Sequence, residues 1–160
     1  MRILILLVIS ISVSYSQKNF SLDDIKSYPF PNELTGSMNA SKIAWAFDEE
    51  GSRNIYVAEA PEFNPKRLTS YMDDTGQELS SVSLSSDGKW VVYIRGGDFG
   101  SNWDDELPVN PTFEISPPKV QIWSFSFDGE SPVLIDEGMN PVISPDSDKI
   151  VYVKNDQLWV

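Results

Sequence analysis

A short pattern recurs three times along this chain, and each copy is too small to fold alone. Residues 38–47, 85–95 and 144–154 can be laid over one another so that Trp45, Tyr93 and Tyr152 coincide, 48 and 59 positions apart. Each copy runs from a turn rich in Ser, Asn, Asp or Gly into an apolar run, and then into a second short strand. Self-similarity at a period of roughly 40–50 residues is the mark of propellers and solenoids, whose units bury their faces against neighbours.

The strand pattern fills in around these copies. Residues 42–47 (KIAWAF) and 54–58 (NIYVA) are β-rich runs separated by a polar turn at 48–51. Residues 66–69 follow a proline-bounded loop at 61–65. In the second unit Leu79, Val82 and Leu84 lead into Ser85, Ser86, Asp87 and Gly88, and Asp-Gly accepts the positive φ of a tight hairpin. Residues 89–95, 119–127 and 132–135 continue that unit, and 140–143, 149–154 and 157–160 build the third. Four short strands per unit predict an all-β fold made of propeller blades. An antiparallel sandwich also has many short strands, but it does not require an aromatic at a fixed place after a repeated turn. Propellers close with ~4–8 blades of ~40–45 residues. Residues 17–160 hold about two and a half such blades, so the reading is a partial β-propeller, with more polypeptide expected beyond Val160.

Composition narrows the function. The 160 residues include 12 basic and 24 acidic side chains, a net charge of −12 that disfavours nucleic acid and anionic lipid alike. With 41% hydrophobic and 12% aromatic residues, the chain can build a packed core. It has no histidine and no cysteine, which removes most nucleophile–base pairs and most zinc sites. No G-x-S-x-G turn is present either. No catalytic, cofactor-binding or metal residue is therefore assigned, and no cofactor is expected.

Residues 1–16 have the form of a secretory signal peptide. Arg2 supplies the positive start, residues 3–13 the apolar stretch, and Ser14 and Ser16 the small residues before a cut at Gln17. The apolar stretch falls short of the ~20 residues that span a bilayer. The expectation is export to the periplasm or the medium, with no membrane attachment after cleavage. Residues 17–36 read as a lead-in in which Ser21 caps a short helix over 22–26 and Asp24 completes a capping box. The prolines at 29 and 31 end it. Residues 37–160 then form the blades.

One hairpin is far longer than its counterparts. Trp45 is 11 positions from Tyr56 and Tyr152 is 7 from Trp159, but 30 separate Tyr93 from Trp123. The excess falls in residues 96–118, which contain Phe99, Trp103 and Phe113. Long connections inside compact domains are commonly functional. Asp98, Phe99 and Trp103 are the candidate contacts to a substrate or a neighbouring domain, the alternative being a flap folded back on its own blade. Gly96, Gly97 and Gly100 superficially resemble a phosphate loop, but the Lys-Ser/Thr and the helix are missing. Neither Asp98, Asp104, Asp105 and Glu106 nor Asp73, Asp74 and Glu78 have EF-hand spacing, and such acidic runs are ordinarily solvated. The tryptophans and tyrosines lie mainly on predicted strands, where core packing rather than sugar binding is the default.

Ser85, Ser86, Asp87, Gly88 and Lys89 followed by Val91, Val92 and Tyr93, and Ser144, Pro145, Asp146 and Ser147 followed by Ile150, Val151 and Tyr152, resemble a known repeat. It is the S-P-D-G-K repeat of TolB-like and prolyl-oligopeptidase-type propellers. Residues 28–31 (YPFP), 42–45 (KIAW), 53–61 (RNIYVAEAP), 76–79 (GQEL), 95–98 (RGGD) with Asn102 and Trp103, and 119–123 (KVQIW) look like the opening of secreted bacterial peptidases of the prolyl oligopeptidase family. That branch is related to dipeptidyl peptidase IV and acylaminoacyl peptidase. The resemblance implies an N-terminal propeller that filters peptides for a C-terminal α/β-hydrolase domain carrying a Ser–Asp–His triad. The partners it implies are the peptide substrate and that domain. Ser86 in place of proline and Ser147 in place of glycine are departures from the repeat. The glutamates that hold a substrate amino terminus in dipeptidyl peptidases have no match here. The competing reading is a stand-alone, TolB-like extracytoplasmic propeller that binds proteins.

Overall fold

The computed structural model describes residues 21–96, 119–129 and 131–160. Helix α1 (Leu22–Lys26) opens this part of the chain with the expected capping box. Ser21 Oγ accepts the Asp24 N–H at 3.0 Å, and Asp24 Oδ2 accepts the Ser21 N–H at 2.9 Å. No residue of the helix is buried.

Everything after it is strand and turn. The first sheet takes β1 (Phe30–Gly36), β2 (Lys42–Glu49), β3 (Ser52–Glu59) and β4 (Lys66–Arg67) in that order. The second takes β5 (Leu79–Leu84), β6 (Trp90–Arg95), β7 (Gln121–Ser126) and β8 (Val133–Glu137) in the same order. The third contains β9 (Met139–Ile143), β10 (Ile150–Lys154) and β11 (Gln157–Trp159). All pairings are antiparallel. Strands β1, β5 and β9 lie side by side, so the three sheets converge on their first strands. This is the blade arrangement that the repeat predicts.

The boundary of the first blade needs correcting. Residues 30–36 read as part of the lead-in, yet they are β1, the inner strand of the first sheet. Pro31, Asn32 and Gly36 give that stretch poor strand propensity, and its pairing with β2 holds it in place.

The repeat is visible at three structural levels. On the second and third strands of each sheet, Trp45 pairs with Tyr56, Tyr93 with Trp123, and Tyr152 with Trp159. Opposite each leading aromatic the inner strand bulges, two residues against one, with a left-handed residue at Glu33 (φ 57), Ser81 (φ 51) or Asn140 (φ 53). Eight positions before each aromatic stands a serine whose N–H closes the β-turn. Ser37 donates to Lys42 O at 3.0 Å, Ser85 to Trp90 O at 2.8 Å, and Ser144 to Lys149 O at 2.9 Å.

In the second and third copies the serine hydroxyl organises the turn as well. Ser85 Oγ accepts the N–H groups of Lys89 (3.1 Å) and Trp90 (2.9 Å), and Ser144 Oγ accepts those of Asp148 (3.3 Å) and Lys149 (3.0 Å). Ser85 Oγ in turn donates to Asp87 Oδ1 at 2.7 Å. The same turns clip neighbouring blades together: Asn39 N–H donates to Ser86 O at 2.9 Å, and Asp87 N–H to Ser147 Oγ at 3.3 Å. Gly88 (φ +70) sits where a Cβ would lie 2.8 Å from the Ala40 Cβ, so both its dihedral and this close approach require glycine.

Two apolar layers fill the gaps between sheets. Ala44, Ala46, Ile55 and Val57 of the first sheet meet Leu79, Val91, Tyr93 and Phe125 of the second. Val92, Ile94 and Ile122 on the opposite face of the second sheet meet Tyr152, Ile143 and Ile150 of the third. Among the described residues no helix is long and apolar enough to cross a membrane.

Tyr93 is wholly buried between the first two sheets, so Tyr93→Ala is expected to cost about 3–5 kcal/mol in urea unfolding. Ser85 is equally buried, and Ser85→Ala, which takes the hydroxyl acceptor from the Trp90 N–H and leaves the Lys89 N–H with Asp87 Oδ1 alone, is expected to cost about 1–3 kcal/mol by the same measurement.

Candidate functional site

The three hairpins between second and third strands open on one rim of the sheet stack. In the first sheet the connection is the two-residue turn Glu50 (φ 57) and Gly51 (φ 90), and in the third it is Asn155 (φ 51) and Asp156 (φ 57). Both central residues lie at positive φ, the type I′ geometry that matches strand twist. In the second sheet, residues 96–120 stand where these two-residue turns stand. The long insertion thus begins and ends at structurally defined places, Gly96 and Lys119. Asp98, Phe99 and Trp103 themselves lie outside the described residues, as do the signal peptide at 1–16 and the acidic residues 104–106.

The platform beneath the insertion is built from the segment between β4 and β5. After only two residues of β4, shorter than the 66–69 run that the sequence suggests, side chains take over from the ladder. Leu68 N–H donates to Ile55 O at 2.8 Å, and Thr69 Oγ1 accepts the Ile55 N–H at 2.9 Å. Buried Asn54 accepts from Tyr71 N–H at 2.8 Å and donates to Tyr71 O at 2.9 Å. This carries Tyr71 under the rim. Its hydroxyl lies 3.0 Å from that of Tyr93, and the Arg95 guanidinium sits 4.4 Å above its ring. Burial first, and then the Tyr71 hydroxyl, push the Tyr93 hydroxyl well above its ordinary pKa, so it stays protonated.

One foot of the insertion is fixed to this platform and the other to β8. Gly96 (φ +104) donates its N–H to Glu78 O at 3.0 Å, and a Cβ there would run into the Lys119 carbonyl oxygen. Lys119 pairs with Glu137. Arg53 faces Asp48 (3.3 Å), Glu78 (3.4 Å) and Asp74 (3.5 Å), joining the first sheet to the approach to the second. Asp136 of the second sheet accepts from Lys154 Nζ at 2.6 Å and from the Tyr152 hydroxyl at 2.7 Å in the third. Lys154 first, then Tyr152 and the Glu137 N–H, hold the Asp136 carboxyl down to about 2. Carboxylates outnumber cations along this rim, where Glu49, which accepts from the Tyr56 hydroxyl at 2.9 Å, and Glu50 of the first hairpin join Asp48, Asp74, Glu78, Asp136 and Glu137. Sequence reading singled out the insertion and missed its platform, although the Arg53, Arg95, Lys119 and Lys154 positions at strand ends were the available signal.

Chemically, the rim offers carboxylates, a stacked arginine–tyrosine pair and an aromatic-bearing insertion, which suit binding and orientation. Among the described residues no group of three or more ligating side chains is arranged to hold a metal ion. A cavity of about 770 Å³ lies elsewhere, between the second and third sheets, against Trp90, Val92, Ile150 and Tyr152. Between the first and second sheets the matching space holds Phe125 and Phe127, the latter under Lys42 Nζ at 3.9 Å, so the cavity occupies a packing position of the repeat.

No protein-family profile matches the sequence, and no curated protein matches it. Solved structures do. TolB from Acinetobacter baumannii superposes with a TM-score of 0.50 at 17% identity, over 76% of this chain and 26% of that one. An acylaminoacyl peptidase from Pyrococcus horikoshii superposes with a TM-score of 0.50 at 13% identity, over 80% of this chain and 17% of that one. At these identities the likeness establishes the β-propeller fold, and the chain spans well under half the length of either protein.

The Asp136 pair makes a pH prediction. A carboxyl whose pKa is depressed on folding stabilises the native state above its unfolded value, ~3.9, and loses that contribution as pH falls toward about 2. Asp136→Asn is therefore expected to lower thermal stability at neutral pH. The gap from the unsubstituted protein should close across that acid window, and a gap independent of pH would disprove the assignment.

Proposed function

We propose that residues 37–160, with β1, are the opening blades of an exported β-propeller that admits and orients peptides for a serine-peptidase domain of the α/β-hydrolase type. That domain would be carried by polypeptide beyond Val160. The observation that carries this reading is the sheet repeat itself, with its S-x-D turn, paired aromatics and one greatly extended hairpin on a carboxylate-rich rim. The fold likeness to an acylaminoacyl peptidase supports it, as does the resemblance of residues 28–31, 42–45, 53–61, 95–98 and 119–123 to secreted prolyl oligopeptidase-family enzymes.

With neither histidine nor cysteine, this portion contributes recognition and leaves bond cleavage to the hydrolase domain. The rim carboxylates draw in cationic peptide groups and turn away anionic ones. Asp98, Phe99 and Trp103 of the insertion meet the peptide or the hydrolase domain. Residues 1–16 direct export and are removed.

The equal TM-score to TolB favours one other reading, a non-catalytic extracytoplasmic propeller whose same rim receives a protein. Labelling the native protein from its producing cells with a fluorophosphonate separates the two. One labelled serine outside residues 1–160, together with cleavage of short chromogenic peptides, is the expected result. A mature polypeptide made of sheet repeats alone, taking no label, would overturn the peptidase reading in favour of the binding one.

A further inference from the structure

The cations at the strand ends of the insertion-bearing rim are not all treated alike. Arg53 faces Asp48, Asp74 and Glu78, Lys119 faces Glu137, and Lys154 faces Asp136. Arg95, at the end of β6, has neither an ion pair nor a hydrogen bond among the described residues. Its guanidinium lies 4.4 Å from the centre of the Tyr71 ring instead. That contact uses the charge of the group and leaves its N–H donors without acceptors.

Tyr71 carries an unmet donor of its own. Tyr93 is wholly buried, and among the described residues its hydroxyl meets only that of Tyr71, at 3.0 Å. If Tyr71 supplied the proton of this bond, the Tyr93 proton would be buried with no acceptor. Tyr93 therefore donates and Tyr71 accepts. The Tyr71 proton is left for an acceptor outside the pair, and both Tyr71 and Arg95 are only half-buried. Neither group is free to drift. Asn54 grips the Tyr71 backbone through its N–H at 2.8 Å and its C=O at 2.9 Å, so the donors are held in place before any ligand arrives.

We propose that Arg95 and the Tyr71 hydroxyl form a carboxylate-binding site on this rim, and that its ligand is a carboxylate of a short peptide, at the C-terminus or on an acidic side chain. A guanidinium fork matches both oxygens of a carboxylate, and the phenol adds a neutral donor beside it. The surrounding carboxylates then select among carriers of that group. They repel a polyanion, whereas a short zwitterionic peptide brings an amino group that the same rim attracts. Arg95 belongs to the second sheet and Tyr71 is tied to Asn54 of the first, so the site exists only where the two sheets are packed. Calling the ligand a peptide rests on the function proposed above, and the preference for a carboxylate does not.

Titration calorimetry on the full-length protein, pretreated with a fluorophosphonate to prevent cleavage, tests this with trialanine, trialaninamide and the amide of Ala-Glu-Ala. The negative rim alone would favour the more cationic trialaninamide, so a preference for an acid runs against the general field. At least one of the two acids is expected to bind at least about tenfold more tightly than trialaninamide. Which acid does so tells whether the terminus or a side chain is held. Arg95→Gln is expected to erase the preference, and Tyr71→Phe, which removes only the hydroxyl, to shrink it, with folding checked by circular dichroism. Equal or undetectable binding of all three peptides by the unsubstituted protein overturns the proposal, whether or not the variants fold. So does a preference that survives Arg95→Gln in a folded protein. A protein that takes no fluorophosphonate label yet prefers an acid keeps this site and loses the peptidase reading. A labelled protein without the preference does the reverse.

Discussion

The structure depends on one contact made repeatedly: an aromatic pair on the second and third strands of a sheet, pressed against the small and branched aliphatic residues of the sheet before it. Tyr93 and Phe125 are almost wholly buried in this way, against Ala44, Ala46, Ile55 and Val57. Burying an aromatic side chain removes 150–250 Å² from water, on the order of 4 kcal/mol each before entropy is charged. Ala44 and Ala46 are small because the rings opposite are large. The inner-strand bulge belongs to the same contact. Placing two residues of β1, β5 or β9 opposite Trp45, Tyr93 or Tyr152 bends that strand and lets the sheets converge on one side.

That geometry separates the two rims of the stack. The S-x-D turns occupy one rim, where their own hydrogen bonds and the clips between Asn39 and Ser86 and between Asp87 and Ser147 fix the spacing of the sheets. The other rim is freer to vary. Its hairpins need only two residues at positive φ, so a long insertion between β6 and β7 costs the fold little, since loop-closure entropy grows slowly with length. The ion pairs of Arg53 and Lys154 cross from sheet to sheet on this rim, Lys119 pairs with Glu137 within the second sheet, and the Arg95–Tyr71–Tyr93 stack ties the rim to the core. Structural duty is concentrated on one rim, and the other tolerates differences in hairpin length.

Much of this was legible in the residues because the repeat carries both spacing and side-chain type. Trp45, Tyr93 and Tyr152 align in the sequence and stand at matching places in three sheets, and Ser21 with Asp24 makes the capping box that its spacing announces. Strand β1 was hidden, because Pro31, Asn32 and Gly36 argue locally against a strand that only pairing with β2 sustains. The platform was hidden for a related reason. Asn54, Thr69 and Tyr71 act through side-chain bonds spanning up to 17 positions, which leave no periodic trace. The candidate contacts Asp98, Phe99 and Trp103 were found through a length anomaly alone, which fixes where an insertion sits and leaves its chemistry to its composition.

A constant order of faces has a consequence for how such chains are built. If each sheet were alike on both sides, units could stack in either sense, and a slip in order would cost little. A face bearing Tyr93 and Phe125 that packs on Ala44, Ala46, Ile55 and Val57 favours one direction of stacking. Two aromatic faces brought together would leave large rings opposed to rings instead of to the hollows above Ala44 and Ala46. Direction also accounts for the different chemistry of the two end faces. Trp45, Phe47 and Tyr56 lie on the outer face of the first sheet, and Val142, Val151, Val153 and Leu158 on the outer face of the third.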